Sequence, residues 1–237
     1  KAHTDPDFPG FDLDIPDQHR VDVWLQEFRQ FERSGELPQF EIVRLPNDHT
    51  KGARAGALSP RSYLADNDLA LGRMIDAITH SQFWKDTVVF VLEDDAQNGP
   101  DHVDSHRSVM LVISPYNRPG VIHRIANTTD ALATMEAILG LDALSQFDYY
   151  ARPLTDIFAD TPDLTPYSVL TPAVPLDEHL SMNVRGAEES SELDFTKEDV
   201  ADEAVFNRVL WELIKGADVP YPGTRRASML DMAVPGY

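Results

Sequence analysis

Apolar residues recur every three or four positions in several parts of the chain, which is the period of a helix with one buried face. This pattern predicts four helices, namely Val21 to Arg33, Asp66 to Ser81, Thr128 to Leu139, and a last one that Thr196 caps and that reaches Lys215. A glycine follows the first, third and last of these helices, and glycine readily adopts the left-handed conformation in which a helix often ends. An Asp/Asn cap is expected at the start of the second helix, around Asp66.

Three short runs rich in β-branched residues lie between these helices and predict strands at Phe40 to Leu45, Thr87 to Leu92, and Val109 to Ser114. The last two runs are almost continuously apolar, as in strands that are covered on both faces. Since a predicted helix separates the first two runs, we expect a parallel strand–helix–strand unit with a right-handed crossover. The expected fold class is therefore α/β, with a mostly parallel sheet flanked by helices.

The composition changes after Phe158 and divides the chain into three parts. Residues 1–158 hold the predicted α/β unit, residues 159–195 are Pro-rich and then acidic, and residues 196–237 hold the last helix and a tail. The middle part is typical of a wrapping arm or a flexible linker.

The charge of the chain limits its partners. Asp and Glu outnumber Lys and Arg by 40 to 20, so the formal net charge is −20, and this argues against nucleic acid or an anionic membrane surface. No apolar run is long enough to cross a bilayer. The absence of cysteine excludes disulfides and thiolate zinc sites. If the substrate is a phosphate, a metal ion must supply the positive charge.

Carboxylates and imidazoles cluster directly after the predicted strands. Asp48 and His49 follow the first strand, Glu93 to Asp95 follow the second, and the segment from Asp101 to His106 comes soon afterwards. The ends of parallel strands meet at one edge of a sheet, so we expect these clusters to converge. Adjacent carboxylates repel one another, and a divalent cation relieves that repulsion. Oxygen and imidazole ligands suit zinc, manganese, iron or calcium.

Each cluster also has an ordinary interpretation. Asp48 could cap a turn, Glu93 to Asp95 could form a solvated loop, and His102 and His106 could be surface residues. The three clusters together favour a metal site over these alternatives. Four other histidines lack such surroundings and are treated as ordinary residues, namely His3, His19, His80 and His179.

Three segments resemble the bacterial phosphoesterase family that contains phospholipase C and acid phosphatase relatives, within the alkaline-phosphatase superfamily. They are Leu45 to Thr50, Glu93 to Arg107, and Val112 to Tyr116. The similarity covers Asp5 to Phe158 and continues weakly through the last helix. It implies the C-terminal part of a phosphoesterase catalytic domain, hence an incomplete domain, in a periplasmic or secreted protein that hydrolyses phosphate mono- or diesters.

The resemblance also implies roles for individual residues. Asp48 and His49 resemble the Asp/His ligands of one metal site, Glu93 and Asp94 resemble the acidic pair of a second, and His102 resembles the histidine that returns to the first. We place three further side chains as hydrogen-bonding partners that orient the ligands, namely Asp95, Asp101 and His106.

The chain departs from the family pattern in two respects. No histidine adjoins Glu93 to Asp95, and no serine or threonine before Asp48 follows an apolar strand as the family's nucleophile does. Thr50 is the nearest local candidate, but it lies on the predicted ligand loop. We therefore expect the nucleophile upstream of Lys1, so that an upstream segment of the same protein and a phosphate ester are the expected partners. The alternatives are a metal-binding or structural domain without catalysis, and a sulfatase or phosphotransferase on the same scaffold.

Overall fold

The structure, a computed structural model, describes residues 3–227. Its longer helices are α1 (Asp17–Ser34), α2 (Pro60–His80), α3 (Thr128–Leu139) and α6 (Glu203–Lys215), and its short ones are α4 (Gln146–Tyr149) and α5 (Ala187–Ser191). The strands in this part of the chain are β1 (Val89–Leu92) and β2 (Met110–Ile113). Three 3-10 turns complete the elements, at Pro46–His49, Trp84–Asp86 and Thr155–Ile157.

The main core forms between α1 and α2, because the helical stripes predicted for both face each other. Trp24 and Phe28 of α1 stack with ring centroids 4.6 Å apart. Buried apolar side chains from both helices and the following turn surround them, namely Val21, Ala70, Met74, Ile78 and Trp84. The prediction of a helix in each of these segments is confirmed.

The second helix begins earlier than its predicted start at Asp66. Ser59 caps α2 by accepting a hydrogen bond from the Ser62 amide at 3.2 Å, and Pro60 fills the first helical position. Proline is preorganised for that position because its missing N–H is not needed there. Asp66 lies inside the helix, where it is buried and accepts a hydrogen bond from the Asp17 amide of α1 at 2.6 Å.

The expectation of a mostly parallel α/β sheet is wrong. The described residues contain one sheet, in which β1 and β2 pair antiparallel with Val89 opposite Ile113 and Leu92 opposite Met110. The connection from Glu93 to Val109 contains no crossover helix, so the chain turns back beside β1 and runs in the opposite direction. Helices and loops make up most of the remaining described chain.

The first predicted strand, Phe40 to Leu45, is also wrong. This segment has no strand partner among the described residues and adopts irregular structure. Val43 and Leu45 pack against the α1–α2 core, whereas Ile42 keeps 83% of its surface exposed. This short apolar run therefore reflects an extended segment lying on helices, and not a strand within a sheet.

The β1–β2 sheet contacts a different set of helices on each face. Val89 and Ile113 pack toward the α1–α2 core. The opposite face contacts a second core beside α3, through Phe90, Met110, Val112, Ala131, Leu154 and Ile157. These contacts on both faces explain part of the nearly continuous apolar sequence of the two strands, although Leu92 and Leu111 remain exposed.

Two predictions concern the helices of the second half. The helix from Thr128 to Leu139 is confirmed, with Asn127 and Asp130 forming a capping box at its start. Asp202 caps α6 by accepting hydrogen bonds from the Ala204 and Val205 amides. The predicted cap, Thr196, instead bonds to Asp194 in the preceding turn.

The Pro-rich segment lies along α2. The Ser62 hydroxyl donates to the Pro175 carbonyl at 2.7 Å and accepts from the Glu178 amide at 3.2 Å. At the other end of the helix, the Tyr167 amide donates to Thr79 Oγ1 at 3.1 Å. These bonds support the wrapping-arm interpretation over that of a free linker. Within residues 3–227, no helix combines the length and apolar character needed to cross a membrane.

Candidate functional site

Asp48 and Glu93 meet although they belong to different segments. Asp48 lies in the Pro46–His49 turn, and Glu93 directly follows β1. Their carboxylates lie within hydrogen-bonding reach of each other. Burial raises the pKa of Glu93 to about 7, and the contact with Asp48 and the negative charges of Asp48, Asp94 and Asp95 add to this shift. The ionised form of Glu93 is therefore disfavoured at this site.

His49 lies beside this pair in an aromatic environment. Its ring stacks on Phe206 of α6, with centroids 5.3 Å apart, and meets Phe11 and Phe195 edge-on. Its Nδ1 atom lies 3.1 Å from the Thr50 carbonyl oxygen. A carbonyl only accepts, so Nδ1 carries the hydrogen of this bond, and the neutral ring then has its lone pair on Nε2. That tautomer can ligate a metal through Nε2.

Asp94 and Asp95 face other partners. Asp94 forms an ion pair of 3.1 Å with Arg44, although 73% of its side chain is exposed. Arg44 also pairs with Glu198 and lies over the Phe11 ring. Asp95 accepts a hydrogen bond from the Gln97 amide at 2.8 Å, and its pKa is raised mainly by burial.

The segment from Asp101 to Arg107 is organised by its own carboxylates. Arg107 donates to both oxygens of Asp101, at 3.2 and 3.0 Å. Burial opposes ionisation of Asp101, but the bonds from Arg107 and two backbone amides outweigh it and hold its pKa below the usual value. His106 Nδ1 lies 2.8 Å from Asp104 Oδ1. The His102 side chain is 82% exposed, with Nδ1 3.9 Å from Asp101 Oδ1.

Arg225 and Ala227 bind to this segment. The Ser105 amide donates to the Arg225 carbonyl at 2.7 Å, and the Arg225 amide donates to Ser105 Oγ at 2.8 Å. The Ala227 amide donates to Asp104 Oδ2 at 2.5 Å. No sequence signal identified this contact, because it joins segments that are remote along the chain.

The predicted ligands fit a divalent metal only in part. Asp48 and Glu93 place two oxygen donors together, and these are hard donors of the kind that manganese or calcium accepts. In the part of the chain that the structure describes, no three His, Asp or Glu side chains are grouped closely enough to hold a metal ion. Asp94 is turned toward Arg44 and His102 toward solvent, so the ligand assignments stay predictions.

Sequence reasoning did not anticipate the part played by α6. Phe206 supports His49, and Asn207 donates to the Gln97 carbonyl at 2.8 Å, so this helix contacts both loops that carry predicted ligands. Phe206 was indistinguishable in the sequence from any other apolar residue of a helical stripe.

Compared with known proteins, the chain matches no family model, no curated protein and no solved structure.

Proposed function

We propose that this chain is part of a metal-dependent hydrolase of phosphate mono- or diesters. The observation that supports the proposal is the contact between Asp48 and Glu93. These two carboxylates were predicted to lie at one site because each follows a predicted strand. The resemblance to phosphoesterases implies that both of them are metal ligands. The predicted location is periplasmic or secreted, as in that family.

The chemistry of the pair is consistent with cation binding. The negative charge of Asp48 disfavours ionisation of Glu93, and a divalent cation bound by both carboxylates would offset this repulsion. Asp48 and Glu93 would be two of the ligands, with the remaining donors supplied by other groups. A bound cation would supply the positive charge that a phosphate ester needs near a chain of net charge −20.

Thr50 does not have the properties of a nucleophile in this structure. Its side chain is buried, and Oγ1 accepts a hydrogen bond from the Gly52 amide at 3.1 Å. Its backbone has a φ of 61° and a ψ of 176°, a region rarely occupied by residues other than glycine. Thr50 therefore shapes the turn that carries Asp48, and we place the nucleophile on an upstream segment.

An activity assay tests the proposal. We expect the 237-residue chain to show no turnover of an aryl phosphate or an aryl phosphodiester with added zinc, manganese or calcium. The same chain with its upstream segment should turn over at least one of them, because metals activate a nucleophile but do not replace it. An inactive longer protein would favour the binding or structural domain. Turnover by the chain alone that disappears in Thr50→Ala would contradict the placement of the nucleophile.

A further inference from the structure

Two buried carboxylates lie directly beneath the Pro46–His49 turn. Asp17, at the start of α1, has no exposed surface, and Asp66, inside α2, is 4% exposed. Asn47 of the turn lies between them and is 1% exposed. None of the three was assigned a role in binding or catalysis from the sequence.

Asn47 is held by both acids. Its backbone amide donates to Asp17 Oδ2 at 3.0 Å, and its side-chain amide donates to Asp66 Oδ2 at 2.7 Å. Asn67 donates to Asp17 Oδ2 at 3.0 Å and to the Leu45 carbonyl at 2.8 Å. The network therefore fixes the backbone on the two sides of Pro46, where the chain enters the turn.

The charge of these acids is partly balanced within the core. Arg20 is fully buried and lies 3.2 Å from Asp17 Oδ1. The same guanidinium donates to three backbone carbonyls of the N-terminal segment, those of Gly10, Asp12 and Ile15. Buried polar groups with several matched partners hold one geometry, because any rearrangement leaves a donor or an acceptor unpaired.

We propose that Asp17 and Asp66 are positioning residues, which hold Asn47 so that the adjacent Asp48 side chain faces Glu93. The acids bind the main chain and side chain of Asn47, which leaves the Asp48 carboxylate outside the network and directed to its partner. The value of this arrangement for a phosphoesterase rests on the proposed function. The geometric claim can be tested without metal or substrate.

Asp66→Ala is the informative change. Asp66 accepts hydrogen bonds from the Asp17 amide and from the Asn47 side chain through one oxygen, and from the Gln18 amide at 3.4 Å through the other. Alanine removes both acceptor oxygens and leaves the Asn47 side chain without this partner. We expect the turn to shift and the Asp48–Glu93 contact to be lost, while the helices persist.

Asp130→Ala is the matched control. Asp130 is also a buried carboxylate in a helix, and it accepts bonds from the Asn127 and Arg152 amides beside α3, away from the turn. This change should reduce the stability of the chain by a similar mechanism. It should leave the Asp48–Glu93 contact unchanged.

The experiment is a double-mutant cycle of Asp48→Asn and Glu93→Gln on the full chain, measured by urea unfolding at pH 6. We expect the two sites to be coupled by about fivefold or more in the unfolding constant, in the wild-type and Asp130→Ala backgrounds alike. In the Asp66→Ala background the coupling should vanish. Unchanged coupling there would overturn the proposal, as would loss of coupling in both backgrounds or no coupling in the wild type.

A milder variant serves if Asp66→Ala does not fold. Asn47→Ala removes only the side-chain bond to Asp66 and keeps the backbone bond to Asp17, so the coupling should fall without vanishing. Full wild-type coupling in Asn47→Ala would then overturn the proposal. Failure of the metal-dependent activity, with the coupling results as expected, would refute the proposed function and leave the positioning role intact.

Discussion

At the residue scale, the pKa of the Glu93 carboxyl lies far above its ordinary value. Burial, the contact with Asp48 and nearby negative charges raise its pKa from 4.5 to about 7. The folded chain therefore binds more protons at this group than the unfolded chain does between these two pH values. By linkage, the stabilising contribution is fully present below pH 4.5 and is lost as the pH rises toward 7.

A comparison of Glu93→Gln with the wild type isolates this effect. Glutamine does not titrate in this range, so the wild type should lose stability relative to the variant as the pH rises from about 4.5 to 7. Urea unfolding of both proteins at several pH values measures the difference. Glu188→Gln is the control, since Glu188 is an exposed carboxylate on α5 and is not among the charges that raise the pKa of Glu93. A difference between the wild type and Glu93→Gln that stays constant across this range would contradict the raised pKa of Glu93.

At the element scale, the packing of α6 against the rest of the chain links the C-terminal region to the turn that carries Asp48. Gly186, just before α5, makes this packing possible. It has a φ of 81°, and a Cβ atom there would lie 2.8 Å from Val209 of α6 and 3.3 Å from Ala53. We expect Gly186→Ala to push α6 away and to reduce stability.

Gly35→Ala is the matched control for this prediction. Gly35 has a similar φ of 74°, and an added Cβ would meet nothing within 4 Å. Both variants carry the backbone penalty, so the extra loss in Gly186→Ala measures the clash and should be about 1–3 kcal/mol in urea unfolding. Equal losses in the two variants would show that α6 moves aside freely.

The elements that were predicted correctly are the helices whose apolar pattern continues over several turns. The stripes of α1, α2 and α3 gave a helix in the right place because each covers several turns with one buried face. A short apolar run predicts a strand, but it does not show which strand it pairs with or in which direction. The two observed strands were located, but their direction depended on the course of the loop from Glu93 to Val109, and Phe40 to Leu45 packs on helices instead of pairing.

The candidate site was predictable to a similar degree. Asp48 and Glu93 were predicted to lie together because each was placed at the end of a strand. The strand predicted before Asp48 does not exist. Arg44, Phe206 and the buried acids under the turn were not predictable, because their partners come from remote segments and their residue types are common in any core or surface. Asp66 looked like a helix cap, yet it is a buried acceptor for α1 and Asn47.

At the scale of the whole molecule, the chain is strongly acidic, with a net charge of −20, and the carboxylates of Asp48 and Glu93 meet at the candidate site. Such a chain repels phosphate esters unless cations bind to it. The proposed hydrolysis therefore requires a divalent ion that binds specifically at Asp48 and Glu93, and not merely through the diffuse negative field.

Calorimetric titration of the full chain with Mn²⁺ at pH 6 tests this claim most directly. We expect saturable binding with release of protons, because the ion binds the ionised form of Glu93, whose pKa is raised to about 7. We expect Glu93→Gln to weaken this binding by about tenfold or more. Glu188→Gln, the same substitution at an exposed position on α5, should bind as the wild type does. Equal affinity in Glu93→Gln and the wild type, or no saturable binding by the wild type, would contradict the account.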